Sequence, residues 1–230
     1  MRNYLIDMDG VIVRGDELIS GADAFVDRLH QRQIKFIIFT NNPMYTPFDL
    51  QHQLQRIGLC LSEDPIYTSA MATADFLESQ LPRGSAFVLG ETTTFSFARI
   101  TQAIRWVAGG ARFIATNPDS SSPNESGLTP GCGAIAAMIE AATGVHPYYI
   151  GKPNPLMMRT ALRRLGAHSE TTALIGDRMD TDIRVGLETG METILVLTGV
   201  TSRDMVSHFP YRPTRIVESV ADFERDGDPS

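Results

Sequence analysis

Four times in this chain a short, wholly apolar run breaks off into polar residues able to do chemistry. Tyr4-Leu5-Ile6 leads into Asp7-Met8-Asp9-Gly10, and Phe36-Ile37-Ile38-Phe39 into Thr40-Asn41. Tyr148-Tyr149-Ile150 leads into Gly151-Lys152, and Ala173-Leu174-Ile175 into Gly176-Asp177, with Asp180 and Asp182 close behind. Runs this short and apolar on both faces suit strands of a parallel sheet covered on each side. Longer stretches of helical spacing lie between them, which is the alternation of an α/β fold with a doubly wound parallel sheet. In an open sheet of that kind ligands bind at the carboxyl ends of the strands. Carboxylates, a hydroxyl and an ammonium gathered there make a site for a metal ion and a phosphate.

The bulk properties narrow the setting. With 230 residues, 43% hydrophobic and 20% charged, the chain has the make-up of an ordinary globular protein. That length holds one large domain, or a domain carrying a smaller insertion. A net charge of −7 argues against a nucleic-acid groove, and it gives an anionic substrate no long-range attraction, so a phosphate must be held locally. Cys60 and Cys132 form no C-x-x-C pair, so neither a thiolate zinc site nor a disulfide framework is expected. His30, His52, His146, His168 and His208 show no metal-ligand spacing. No apolar stretch approaches a membrane span, and Asp7 interrupts the first apolar run too early for a secretory signal. A cytoplasmic protein is expected, with neither membrane nor nucleic-acid polymer as partner.

The spacing predicts strands at Tyr4–Ile6, Phe36–Phe39, Ala173–Ile175 and Thr193–Leu197. Helices are expected at Ala22–Gln31, Pro47–Ile57, Ser69–Gln80, from Asn154-Pro155 to Leu165, and at Asp182–Thr189. In the middle of the chain Ala86–Leu89 and Arg112–Ala115 read as strands, Phe95–Val107 as a helix, and Ser120–Thr129 as a polar, turn-rich loop. The segment Gly131-Cys132-Gly133-Ala134-Ile135-Ala136 matches a dinucleotide fingerprint on paper. It follows Thr129-Pro130, where no strand is expected, and so reads as a helix start. The residues after Glu224 read as a frayed polar tail.

Each polar set has a chemical and a plain reading. Asp7 and Asp9 fall on one side of an extended strand, and Gly10 permits a sharp turn. One carboxylate could attack phosphorus and the other could shuttle the proton, but a solvated acidic turn fits the motif equally well. Asp177, Asp180 and Asp182 supply the hard oxygen donors Mg²⁺ prefers, yet Asp180 or Asp182 could equally cap a helix. Thr40 and Asn41 suit phosphate oxygens and are also common turn residues. Lys152 could neutralise a phosphoryl group or simply be a solvated loop lysine. Their order along the chain, each at a strand end, favours the chemical reading of all four together.

These residues resemble the haloacid dehalogenase-like phosphatases through all four motifs of that superfamily. Tyr67-Thr68-Ser69-Ala70, Gly110 to Asp119, Gly151-Lys152-Pro153-Asn154-Pro155 and Val196-Leu197-Thr198-Gly199-Val200 are similar to its class IIA, NagD-type branch. The resemblance implies a Rossmann-like core, residues 1–82 and 147–230, with an inserted α/β cap, residues 83–146. Residues 10–39 leave little room for a cap, whereas 41–151 leave ample room. It implies a Mg²⁺-dependent phosphomonoesterase working through an aspartyl-phosphate. Asp7 would be the nucleophile and Asp9 the general acid/base. Asp9, Gly10, Thr40, Asn41 and Lys152 would bind the phosphate, and Asp7, Asp9, Asp177 and Asp182 would serve the metal. A homodimer through the cap is also implied. One departure stands out: Glu91 runs straight into Thr92-Thr93-Thr94, where NagD-like caps carry a further helix and strands, so the cap is expected to be shortened.

A small phosphorylated metabolite is the expected substrate, with nucleoside monophosphates such as UMP ahead of sugar phosphates and phosphoglycolate. A receiver-type module that accepts a phosphoryl group is the alternative of another class. Receivers lack an acid two residues after the nucleophile, so Asp9 argues for catalysis. An inactive phosphate-binding protein is the third reading.

Overall fold

A computed structural model describes residues 2–81, 83–92, 94–124 and 127–224. The frayed tail expected after Glu224 lies outside them. The chain divides into two compact units. The first takes Met1–Thr40, Tyr45–Tyr67 and Pro155–Ser230, and the second takes Asn41–Met44 and Thr68–Asn154. The second therefore includes more of the chain than the 83–146 expected from sequence. Helix Ser69–Gln80 joins it, with Phe76 stacked on Tyr148 at 5.2 Å between ring centroids.

The first unit is built on a sheet of strands β1 (Asn3–Asp7), β4 (Phe36–Thr40), β5 (Ile66–Thr68), β11 (Thr172–Gly176), β12 (Glu192–Val196) and β13 (Arg215–Val217). A small hairpin of β2 (Val13–Arg14) and β3 (Glu17–Leu18) follows the first strand. The sheet order is β13-β12-β11-β1-β4-β5, and every pairing from β13 to β4 is parallel. From β1 the chain winds outward through β4 to β5, then returns to β11 on the other side of β1 and winds outward again. The switch point therefore falls between β1 and β11, whose carboxyl ends carry Asp7 and Asp177.

Burial on both faces explains the unbroken apolar runs. Tyr4, Ile6, Ile38, Ile175, Ile194 and Val196 meet Phe25, Val26 and Leu29 of helix α1 (Ala22–Gln31) and Leu50 and Leu54 of α2 (Pro47–Arg56). Leu195 joins Met179, Ile183 and Val206 on the opposite face. Helix α6 (Pro155–Leu165) packs against β4, and the short α7 (Arg184–Glu188) against β12. Helix α2 has a full capping box: Asp49 N–H donates to the Thr46 hydroxyl, and Thr46 N–H to the Asp49 carboxylate. That hydroxyl, the main contributor, and the Thr46 amide hold the Asp49 carboxyl below the usual carboxylate range.

One expectation for this unit needs correction. The helix foreseen over Asp182–Thr189 begins only at Arg184. Before it, Met179–Ile183 form a wide π-type turn in which Asp182 and Ile183 N–H both donate to the Arg178 carbonyl at 3.1 Å. Such turns recur at functional sites.

The second unit has a parallel three-stranded sheet, β10 (Tyr148–Tyr149), β7 (Arg112–Ala115) and β6 (Ala86–Leu89). Helices α4 (Phe97–Ala108) and α5 (Cys132–Thr143) bury Ala103, Val107, Ile135, Ala136 and Ile139 against Leu89, Phe113 and Ala115. Helix α3 is Ser69–Gln80. Within the segment expected to be a loop at Ser120–Thr129, the described residues form an antiparallel pair of strands, β8 (Ser121–Asn124) and β9 (Gly127–Pro130). Gly131 and Gly133 thus do follow a strand, but their role is close approach: Gly133 N–H donates to the Asp119 carbonyl at 2.8 Å, and a Cβ there would strike Pro118 O. Among the described residues no helix is long and apolar enough to cross a membrane.

Candidate active site

At the switch point Asp7, Asp177 and Asp182 converge. One carboxylate oxygen of each lies within 4.8 Å of the others. All three are buried, with exposures of 4%, 2% and 0%. Anionic groups this close and this dry repel one another unless a cation compensates. Hard oxygen donors in this number suit Mg²⁺, which keeps part of its water shell and needs no closed protein cage.

Backbone groups fix the cluster. Met8 N–H donates to Asp7 Oδ1 at 2.8 Å, and Val200 N–H to Asp177 Oδ2 at 2.6 Å. Arg178 N–H donates to Asp182 Oδ2 at 3.1 Å, which makes Asp182 a brace of its own turn and not a helix cap. Glycine backbone packs closely against two of these carboxylates. A Cβ on Gly10, whose φ is +78°, would sit 2.6 Å from Asp177 Oδ2. A Cβ on Gly199 would collide with the same group, and one on Gly176 with Asp182. Without side chains at these three positions the backbone can lie directly against the Asp177 and Asp182 carboxylates.

The carboxylate of Asp9, a residue expected to serve the metal, is not in this cluster. It is exposed and accepts a hydrogen bond from the Thr40 hydroxyl at 3.3 Å. Asp180 also stands outside, in a two-pronged pair with Arg178 at 3.1 and 2.9 Å. Burial pushes its carboxyl up, but the hydrogen bonds and charge of Arg178 outweigh that and hold it below the ordinary range.

Lys152 and Asn41 belong to the second unit, where they are joined to each other. Lys152 follows a strand of the three-stranded sheet, not of the six-stranded one. It is 3% exposed. Asn41 Oδ1 accepts from Lys152 N–H at 2.7 Å, and Asn41 Nδ2 donates to the Lys152 carbonyl at 3.1 Å and to Asp119 Oδ2 at 3.0 Å. Both Nδ2 protons are thereby committed, so the side chain foreseen as a phosphate ligand is a cross-link of the backbone. Asn117, with 0% exposure, donates to the Asn41 carbonyl at 2.9 Å.

Thr198, Gly199 and Val200, quoted above only for the branch they resemble, and Thr201, not singled out at all, contact Gly10, Asp177 and Met179. They follow strand β12 as the four motif sets follow theirs, and that shared position is the signal that could have singled them out.

Comparison with known proteins finds relatives along nearly the whole chain. Residues 4–101 match the family described as Haloacid dehalogenase-like hydrolase, and residues 149–223 match the one described as HAD-hyrolase-like. The dihydroxyacetone phosphatase of Corynebacterium glutamicum (strain R) is 47% identical, over 96% of this chain and 90% of that protein. The ribonucleotide monophosphatase NagD of Escherichia coli (strain K12) is 36% identical, over 97% of this chain and 98% of its own. Its solved structure superposes with a TM-score of 0.90 at 37% identity, covering 96% and 98% of the two chains. The acid sugar phosphatase of Staphylococcus aureus (strain USA300) is 35% identical, over 96% and 98%. The alignment to the Corynebacterium protein runs over 246 positions whereas this chain has 230 residues, so that relative carries residues this one lacks.

Proposed function

The chain belongs to the haloacid dehalogenase-like hydrolases, class IIA NagD-type phosphatases, and on that premise we propose that it is a Mg²⁺-dependent phosphomonoesterase for small phosphorylated polyols and sugars, dihydroxyacetone phosphate first. That it is a phosphoric monoester hydrolase follows from the family. The substrate and the residue roles are the proposal. The observation that carries it is the buried cluster of Asp7, Asp177 and Asp182 at the switch point, with Asp9 two residues on, held by Thr40.

In the proposed reaction an Asp7 carboxylate oxygen attacks phosphorus, the ester P–O bond breaks, and Asp9 delivers a proton to the departing alkoxide. Asp9 then takes a proton from water as that water attacks the aspartyl-phosphate, releasing inorganic phosphate and restoring the Asp7 carboxylate. Bound Mg²⁺, held by Asp7, Asp177 and Asp182, would draw negative charge from the phosphoryl oxygens. Thr40 orients Asp9. Gly10, with no side chain, leaves room for the phosphate. Asn41 can still offer a phosphate its main-chain N–H. Lys152 is assigned its charge-neutralising role by its place in Gly151-Lys152-Pro153 alone.

The Corynebacterium relative's name supports a triose phosphate as substrate, and it is 47% identical. The nucleoside monophosphates, UMP among them, remain the second reading because of the NagD relative at 36%. The deciding experiment is phosphate release from dihydroxyacetone phosphate, sugar phosphates, phosphoglycolate and nucleoside monophosphates, with and without Mg²⁺. A kcat/KM for UMP ten times that for every sugar and triose phosphate reverses the order. Release unaffected by Mg²⁺ or its removal defeats the mechanism.

A further inference from the structure

Asn41 makes contacts that a phosphate ligand would not have free to make. Its Oδ1 accepts from Lys152 N–H and its Nδ2 donates to the Lys152 carbonyl, so the amide pairs with one residue's main chain on both sides, as a neighbouring strand would. The remaining Nδ2 proton goes to Asp119, whose own N–H is held by Asn117 Oδ1 at 3.1 Å. The Asn41 carbonyl is fixed in turn by the Ser69 hydroxyl at 2.6 Å and by Asn117 Nδ2 at 2.9 Å. Gly151 completes the fit, since a Cβ there would lie 2.5 Å from Asn41 Oδ1 and 2.6 Å from Thr116 O. Only an amide supplies one acceptor and two donors at this spacing. Aspartate would set a second carboxylate against Asp119 and an acceptor against the Lys152 carbonyl.

We infer that Asn41 is a positioning residue for Lys152, acting through that residue's main chain, and that its side chain is not a ligand of the phosphate. The Thr-Asn pair at the end of β4 thus has two roles. Thr40 holds the Asp9 carboxylate, and the next residue in the chain sets the lysine loop. The inference rests on the charge-neutralising role proposed for Lys152, and a loop displaced by about 1 Å can cost about a hundredfold in rate.

The test combines hydrogen exchange with a double-mutant cycle. In Asn41→Ala the Lys152 amide, deprived of its acceptor, exchanges at least about tenfold faster. Asn41→Asp keeps that acceptor and retains the protection, yet loses activity as the alanine variant does. Asn41→Ala lowers kcat/KM about 10- to 100-fold, and costs less than about twofold more when placed on Lys152→Met, because a residue acting through another has nothing left to position. If Lys152→Met hydrolyses too little to measure, the same cycle is read on affinity for inorganic phosphate with Mg²⁺ present. Additive losses, or an unchanged Lys152 exchange rate in Asn41→Ala, overturn the inference. The exchange measurement needs no substrate, so it decides the contact even if the chain hydrolyses no ester in the panel.

Discussion

The Thr198 hydroxyl donates to the Gly10 carbonyl at 2.6 Å, across 188 residues of chain. The same short loop holds the other acidic segment. Val200 N–H reaches Asp177 Oδ2, Thr201 N–H reaches the Asp177 carbonyl at 3.2 Å, and Met179 N–H is accepted by the Thr201 hydroxyl at 3.3 Å. Arg14, at the end of the β2 strand, donates to the Thr198 carbonyl from the first motif's side. The parallel pairing of β1 with β11 sets the spacing between Asp7 and Asp177, and this loop ties together the segments that follow the two strands.

Thr198→Val keeps the shape of the side chain and removes its donor. Groups that brace metal ligands typically contribute 10- to 100-fold in affinity. The Mg²⁺ concentration giving half-maximal activity is expected to rise about tenfold, and the Mg²⁺-induced increase in melting temperature to shrink, while Thr198→Ser behaves as the parent. Titration of both variants decides it, and a valine variant with parental Mg²⁺ dependence removes Thr198 from the site's support.

Gly199 is a sharper probe because a single methyl group is at issue. A Cβ there meets the Asp177 carboxylate, so Gly199→Ala must displace either the loop or the ligand. Overpacking of this kind costs about 1–3 kcal/mol. The variant is expected to melt lower than the parent and to gain little from added Mg²⁺. Gly199 is not among the glycines with positive φ, so crowding alone is at issue, and thermal melts with and without Mg²⁺ read it out.

Asp7→Asn has two opposed consequences. Loss of the nucleophile lowers turnover by at least about 10³-fold. Removing one of three buried carboxylates within 4.8 Å of one another relieves their repulsion, so without Mg²⁺ the variant melts higher than the parent. With Mg²⁺ the order reverses, because the parent alone gains fully from the ion. Thermal melts of both proteins in chelator and in Mg²⁺ read this out. Persistent Mg²⁺-dependent phosphate release by the variant refutes the assignment of Asp7.

The core strands were legible because their residues are apolar on both faces and end abruptly in polar ones. Asp7 and Asp177 could be placed from strand order alone. The strand pair Ser121–Asn124 and Gly127–Pro130 was not legible, since Ser, Pro, Asn and Gly have poor strand propensity and the strand form is settled by cross-strand pairing. The π-type turn at Met179–Ile183 has no periodic signature over so few residues. The partner of the Asn41 side chain was not legible for a different reason: an amide facing a ligand and an amide facing a distant main chain look alike in sequence. Lys152 read as a strand-end residue correctly, but nothing in its apolar run told which sheet that strand joins.

Cys132 reports on the second unit, whose sheet is only three strands wide. The thiol is fully buried, accepts from the Thr116 hydroxyl at 3.6 Å and donates to the Leu89 carbonyl at 3.5 Å, while Cys60 is exposed. Burial pushes the Cys132 thiol above its ordinary range. Thiolate is the reactive form, so a thiol reagent is expected to label Cys60 at once and Cys132 only when the unit opens. The sign of the pH effect follows from proton counts. Above about pH 8.5 the unfolded thiol ionises while the folded one stays protonated, so the unfolded state holds fewer protons and stability falls as pH rises. Labelling of Cys132 should therefore accelerate above that pH by more than labelling of Cys60 does. Mass spectrometry of timed labelling resolves the two sites, and Cys132 reacting as fast as Cys60 at neutral pH would mean that the unit is not closed over its core.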